Sequence, residues 1–283
     1  MVESMLPNKL SEAQLVDLPS PPGIIQKLHS CMAEEEVSSN ELARVIETDQ
    51  AFTARILKLV NSPFYGFTRD IASVQEAVTM IGFHAVHQLL LATSLLSEFR
   101  TKNSAINIDD FWRHSFGVGV IARRILNTVD RDTKQAAFVS GVLHDIGRLV
   151  YMKIMPDTFV TFYTELSMVT DLEAEVKFFG IDHQETGRAL AQKWNFPESV
   201  TTVIANHHNP DAVENHGLLV SAVNIADILC HALQIGDSGN YYVSEFNLGA
   251  WKRIGLIPED LEGILKKALD EIDESEKVVA QLR

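Results

Sequence analysis

Residues 142–148 read Val142-Leu143-His144-Asp145-Ile146-Gly147-Arg148. An imidazole and a carboxylate stand side by side inside an apolar stretch, with Ser140 before them and Gly147 behind. The apolar residues around them recur at helical spacing and do not alternate as a strand's would. Four further polar contexts in the second half show the same habit. His114 shares a helical stripe with Val118, Ile121 and Ile125. His183 aligns with Gly187, Leu190 and Trp194, and His207 aligns with Val200, Val203 and Ile204. Asp227 aligns with Val220, Val223 and Asn224. Each polar residue extends a core-facing stripe, so these side chains point inward from helices.

The rest of the chain agrees. Helical periodicity persists nearly throughout its 283 residues and no β-type alternation persists anywhere, which predicts an all-α fold, a multi-helix bundle. Pro19, Pro21, Pro22 and Gly23 precede a helix that starts near Ile24. Ser38, Ser39 or Asn40 caps the next, and Asp49 caps a third that stops at Asn61-Ser62-Pro63, because proline cannot continue a helix. Ser73 caps Val74–Met80, with Glu76 at the capping-box position. An apolar helix covers roughly His84 to Phe99. The polar stretch 101–110, with Lys102, Asn103, Asn107, Asp109 and Asp110, separates an N-terminal helical half, 11–100, from a metal-binding half, 101–283; the two are read as one continuous unit. The second half holds at least six more helical segments, a loop over 235–247, and helices near Leu248–Ile254 and from Pro258 onward.

The formal net charge is −14. Such a field repels a phosphate backbone, so nucleic-acid binding is not expected. It suits metal cations and basic partners. Cys31 and Cys230 are the only cysteines, far apart, which speaks for a reducing compartment and against a disulfide framework. Residues 1–10 lack a signal-peptide pattern, and the most apolar run, Leu89–Leu96, is too short to span a bilayer, so a cytoplasmic protein without a membrane anchor is expected.

A carboxylate on a buried stripe is costly unless it is paired or bound to a cation. Asp145 and Asp227 among inward-facing imidazoles therefore suggest one shared cation site, or two. Histidine and aspartate suit iron, manganese, zinc or nickel, while the lack of thiolates argues against structural zinc and iron–sulfur clusters. Each residue alone has a plainer explanation. His114 alone reads as an ordinary core histidine, Asp182 to Glu185 as a helix start, and His207-His208 as a favourable charge at a helix C-terminus. A buried polar network without metal stays open beside the cation site. His29, His84, His87, His216 and His231 have no partner at a recognisable spacing and are read as ordinary residues.

The order of His114, His144-Asp145, His183, His207-His208 and Asp227 resembles the HD superfamily of metal-dependent phosphohydrolases. The N-terminal half narrows the likeness. Leu18-Pro19-Ser20-Pro21-Pro22, the segment from Leu42 to Asp49, Leu57-Lys58-Leu59-Val60-Asn61-Ser62 and Ala77-Val78-Thr79-Met80-Ile81-Gly82 resemble the opening helices of HDOD domains. The resemblance covers roughly residues 11–270, and Asn61-Ser62 and Trp194 to Pro197 are its more specific segments. It implies an all-α HD-like bundle and a bacterial signalling role. It also implies one metal on His114, His144, Asp145 and Asp227, and a second on His183, His207 and His208 with Asp145 bridging. Two departures stand out. Asn209-Pro210-Asp211 follows the histidine pair where the HD-GYP group has Gly-Tyr-Pro, and Arg148 stands where active relatives carry lysine.

Two functions follow from that likeness. In the first, one or two divalent transition metals, iron or manganese before zinc or nickel, support hydrolysis of a phosphate ester or nucleotide, with Asp145 and Arg148 as catalytic residues. In the second, the chain is a regulatory module that docks a signalling protein, and its metal is structural or absent.

Overall fold

A computed structural model of the chain describes residues 18–32, 38–62, 65–99, 106–165, 172–239 and 243–280. Residues 1–17, Pro63, the first part of the polar boundary stretch with Lys102 and Asn103, and the loop residues Tyr241 and Tyr242 lie outside them. Among the described residues every regular element is a helix, as the periodicity predicts. The chain forms two compact units, Met1–Pro19 with Thr101–Leu265 and Ser20–Arg100 with Lys266–Arg283.

The unit containing the early helices has α1 (Gly23–Met32), α2 (Ser39–Glu47), α3 (Gln50–Val60), α4 (Val74–Ile81) and α5 (Phe83–Glu98). Local chemistry sets their ends. Of the three candidate caps for α2, Ser38 is the one used: its hydroxyl accepts the Glu41 N–H at 3.2 Å, and its own N–H donates to Glu41 Oε2 at 2.9 Å, a complete capping box. Asp49 caps α3 through the N–H groups of Ala51 and Phe52. Asn61 closes α3 and also pins the chain beyond it, since its amide donates to the Ile71 carbonyl and accepts the Ile71 N–H, at 2.9 and 2.7 Å. Ser73 caps α4, but the expected box is displaced by one residue. The Glu76 carboxylate takes the Ala72 N–H at 3.0 Å, and Arg69 holds its other oxygen. Gly82, at φ +88°, then bends the chain by 117° between α4 and α5. No single described helix is long and apolar enough to cross a membrane.

The other unit contains α6 (Ile108–Ile125), α7 (Arg131–Leu143), α8 (Ile146–Ile154), α9 (Pro156–Glu165), α10 (Leu172–Phe179), α11 (His183–Lys193), α12 (Glu198–Asn206), a 3-10 turn (Pro210–Ala212), α13 (Gly217–Ala232) and α14 (Leu248–Ile254). The last helix, α15 (Pro258–Ala280), begins in it. Helices α6, α7 and α13 form its centre, filled by Val118, Val120, Ile121, Leu143, Val220 and Val223, all buried. Gly119 and Gly141 let α6 and α7 approach closely, because a Cβ on Gly141 would lie 2.6 Å from the Gly119 Cα. Trp194 at the end of α11 is fully buried, and its indole N–H donates to the Pro19 carbonyl at 2.8 Å.

Candidate metal centre

The inward-facing residues arrive from six helix ends or faces. His114 sits mid-way along α6, and His144-Asp145 form the joint where α7 stops and α8 starts. His183 opens α11, with Asp182 capping it through the Glu185 N–H. His207 closes α12, where the Gln184 amide holds the Ala205 carbonyl and the Asn224 amide holds the His207 carbonyl at 2.7 Å. Asp227 lies on α13. Gly147 lets α8 meet α11, since any Cβ there would strike the His183 carbonyl. His114, His144, Asp145, His183, His207 and Asp227 are each at most 2% exposed, and His208 is half-buried at the edge.

The structure brings all seven ligand candidates into two adjoining groups, Asp145 with His183, His207 and His208, and His114 with His144 and Asp227; within each, the donor atoms lie within 4.8 Å of one another. His183 Nε2 and His207 Nε2 lie 3.2 and 3.6 Å from Asp145 Oδ1. His114 Nε2 is 3.1 Å and His144 Nε2 3.5 Å from Asp227 Oδ1. His144 also joins the groups, with its Nε2 3.4 Å from Asp145 Oδ2.

The far side of each ring decides what the near side offers. His144 Nδ1 is 2.7 Å from the Gly141 carbonyl, and His207 Nδ1 is 3.0 Å from the Ile204 carbonyl. A carbonyl can only accept, so both Nδ1 atoms carry the hydrogen. His183 Nδ1 donates to Glu175 Oε2 at 2.6 Å, and the same oxygen takes the His183 N–H at 2.8 Å. Three rings thus turn Nε2 inward, the outer-shell arrangement that prepares histidine for a metal. His183 Nε2 and His207 Nε2 face each other at 3.2 Å beside Asp145 Oδ1. Asp145 Oδ1 and His144 Nε2 have no hydrogen-bond partner among the described residues. A divalent cation satisfies such a donor set, and the residues present fit one.

Electrostatics is consistent with a site held ready. Burial would raise the Asp145 pKa, but Arg148, His144 and His183 together hold it well below the usual carboxylate range. Asp227 behaves likewise, with His231 as its largest favourable neighbour. Burial lowers His207 and His208, keeping both neutral near pH 7. Burial also opposes a charge on His144, yet Asp145 and Asp227 raise its pKa to about 10. Without a cation, that ring carries the compensating proton.

Two features, Glu175 and His231, were not legible as functional in the sequence. Glu175, buried on α10, fixes His183 and lies 3.8 Å from an Arg148 nitrogen. His231, read above as partnerless, has Nε2 3.3 Å from Asp227 Oδ1 and its ring against His114; the signal was its i+4 spacing from Asp227. Arg148 is 2% exposed, with Nε 3.3 Å from Asp145 Oδ1.

Comparison with known proteins agrees with this geometry. The family model for the HDOD domain matches residues 18–210. The chain belongs to the HDOD family. An HDOD domain protein from Geobacter sulfurreducens, of unknown function, superposes with a TM-score of 0.75 at 27% identity, covering 100% of this chain and 99% of its own. A candidate phosphohydrolase from Shewanella amazonensis shares the HDOD-like fold, with a TM-score of 0.72 at 22% identity over 96% of this chain and 97% of its own. An uncharacterized protein of Treponema pallidum is 26% identical over 217 residues, 75% of this chain; the match spans 42% of that protein's length. Asp227 and His231 lie beyond the span matched by the HDOD model.

Proposed function

We propose that this HDOD protein is a regulatory module built around a divalent-metal centre, in which the cation first serves to hold the helices of its unit together. The observation that carries this reading is the inward Nε2 atoms of His144, His183 and His207, each with its Nδ1 held by an acceptor, around two buried carboxylates. Closure favours a holding role over turnover. Six of the seven ligand candidates are at most 2% exposed, and Arg148 is enclosed to the same degree beside Asp145 and Glu175. Iron or manganese suits the set best, with zinc or nickel also compatible with imidazole and carboxylate. The partner would be another signalling protein, and the compartment the bacterial cytoplasm.

Phosphate-ester hydrolysis is the second reading, and His208 favours it. That ring is half-buried, unlike the other six candidates, and packs on His183 and His207. A bound metal would there lower the pKa of a water and polarise a phosphoryl oxygen. The chain's own residues would orient the ester: Asp145 holds His183 and His207 in register, and Arg148 supplies positive charge behind the carboxylate. The Shewanella relative of the same fold carries the phosphohydrolase description.

Elemental analysis of the purified protein, with Asp145→Ala as control, tests both. One or two equivalents of metal, lost in the variant, support the metal centre. Hydrolysis of bis(p-nitrophenyl) phosphate by the loaded wild type, absent in Asp145→Ala, would then favour the enzyme; full loading without turnover would favour the module. A folded wild type that takes up no metal would overturn both.

A further inference from the structure

The two ligand groups differ in one respect that chemistry makes important. Asp227 is surrounded by imidazoles: His114, His144 and His231 approach Oδ1 at 3.1, 3.5 and 3.3 Å. An imidazole nitrogen is itself a metal ligand. Asp145 has a different neighbour. Its Oδ1, the oxygen facing His183 and His207, also lies 3.3 Å from Arg148 Nε. A guanidinium keeps its charge at every accessible pH. Arg148 cannot swing away freely, because it is fully enclosed, lies 3.8 Å from Glu175 Oε1 and rests beside Tyr163. The Asp145 group therefore contains a permanent cation of its own, while the Asp227 carboxylate is approached by imidazoles and by no guanidinium or ammonium group among the described residues.

We propose that Arg148 is an internal counter-cation that makes the two metal positions unequal: the His114–His144–Asp227 position fills first, and the Asp145–His183–His207–His208 position binds its divalent cation more weakly. This rests on the metal-centre reading above and adds an order of filling to it. The physical reason is repulsion between like charges across one carboxylate oxygen, in a site with little water to screen it. Asp145 Oδ2 faces His144 on the other side, so the handicap falls on the second position more than on the first. A chain of this kind holds one ion firmly and responds to rising metal concentration at the other, half-buried, His208-bearing position.

The test is a titration of metal-stripped, full-length protein with Mn2+, read by the electron paramagnetic resonance signal of the free ion, in the wild type and three variants. The wild type is expected to show one tight equivalent and a second at least about tenfold weaker, about 1.4 kcal/mol. His114→Ala removes the tight equivalent; His208→Ala affects only the weak one. Arg148→Met brings the second affinity to within about threefold of the first, a difference of less than 1.4 kcal/mol. Two equal sites in the wild type, a tight equivalent lost with His208→Ala but kept with His114→Ala, or an unchanged ratio in folded Arg148→Met would overturn the proposal. If Arg148→Met fails to fold by circular dichroism, Arg148→Gln, which keeps a polar group beside Asp145 and Glu175, takes its place, and an unchanged ratio there overturns the proposal. No Mn2+ binding at all would remove the metal-centre reading itself, and this inference with it.

Discussion

His87 in α5 and His183 in α11 are both buried histidines on helices, 4% and 1% exposed, and their surroundings could hardly differ more. His183 has a carboxylate on each side, Glu175 on Nδ1 and Asp145 on Nε2. His87 meets the edge of the His29 ring, stacks on Phe83 and has His84 nearby, and its Nε2 has no hydrogen-bond partner among the described residues. Burial lowers the His87 pKa to about 4, with His29 and His84 adding repulsion. The difference teaches that burial and clustering of histidines do not make a metal site. What separates the two clusters is the supply of buried carboxylates and of acceptors that fix each ring's tautomer.

The largest test of that contrast removes the shared carboxylate. Asp145→Ala leaves Arg148 and a protonated His144 buried without their partner, and breaking a buried ion pair in this way costs about 3–5 kcal/mol. Urea unfolding should show that loss along with loss of at least the metal equivalent held by the Asp145 group, whereas His87→Leu should leave metal content untouched. A variant that stays metal-loaded would erase the distinction drawn here.

Acid should expose the opposite weakness. His87 is neutral in the fold down to about pH 4, while an unfolded histidine takes up its proton near 6.5. The unfolded chain then binds the extra proton within that window. Stability is full above about pH 6.5 and falls as pH drops toward 4, by about 3 kcal/mol in total. Thermal melts across that range should show the decline, and His87→Leu should flatten it. An equal slope in wild type and variant would assign the acid sensitivity elsewhere.

A smaller effect sharpens the role of the outer acceptor. Glu175→Gln keeps the shape but weakens the hold on His183 Nδ1–H, and metal affinity should fall by about tenfold to a hundredfold. Competition with a chromophoric chelator would measure it; unchanged affinity would mean that Glu175 serves only Arg148. The smallest expected signal is protonic. With His144 at about 10, loading the ion that this ring holds at pH 7 must expel its proton, so that uptake should release about one proton and strengthen as pH rises. Calorimetry in buffers of different ionisation enthalpy reads this directly.

Much of this was written in local sequence. Ser38, Asp49 and Ser73 announce helix starts because capping needs only a side-chain oxygen two or three residues from an N–H. The helical period gave the all-α fold, and polar residues on apolar stripes singled out His114, Asp145 and Asp227, because burial makes them expensive anywhere else. What the stripe could not reveal was the partner of each group. Glu175 and His183 are eight residues apart across a turn, and an acid in the first turn of α10 looks like an ordinary response to the helix dipole. The i+4 spacing of Asp227 and His231 was present but lay in a helix whose apolar character drew attention to the core. Glu76 shows a finer limit: the box residue was right, yet Arg69 and Ala72 set where its carboxylate went.

His114 and Asp227 meet across 113 residues of chain. A cation gripped at that junction would act as a stitch, closing a long loop in the way a disulfide does, but reversibly and without cysteine. The survival of the chain against proteases would then follow the metal supply of the cell, and scarcity would be read as turnover of the protein itself.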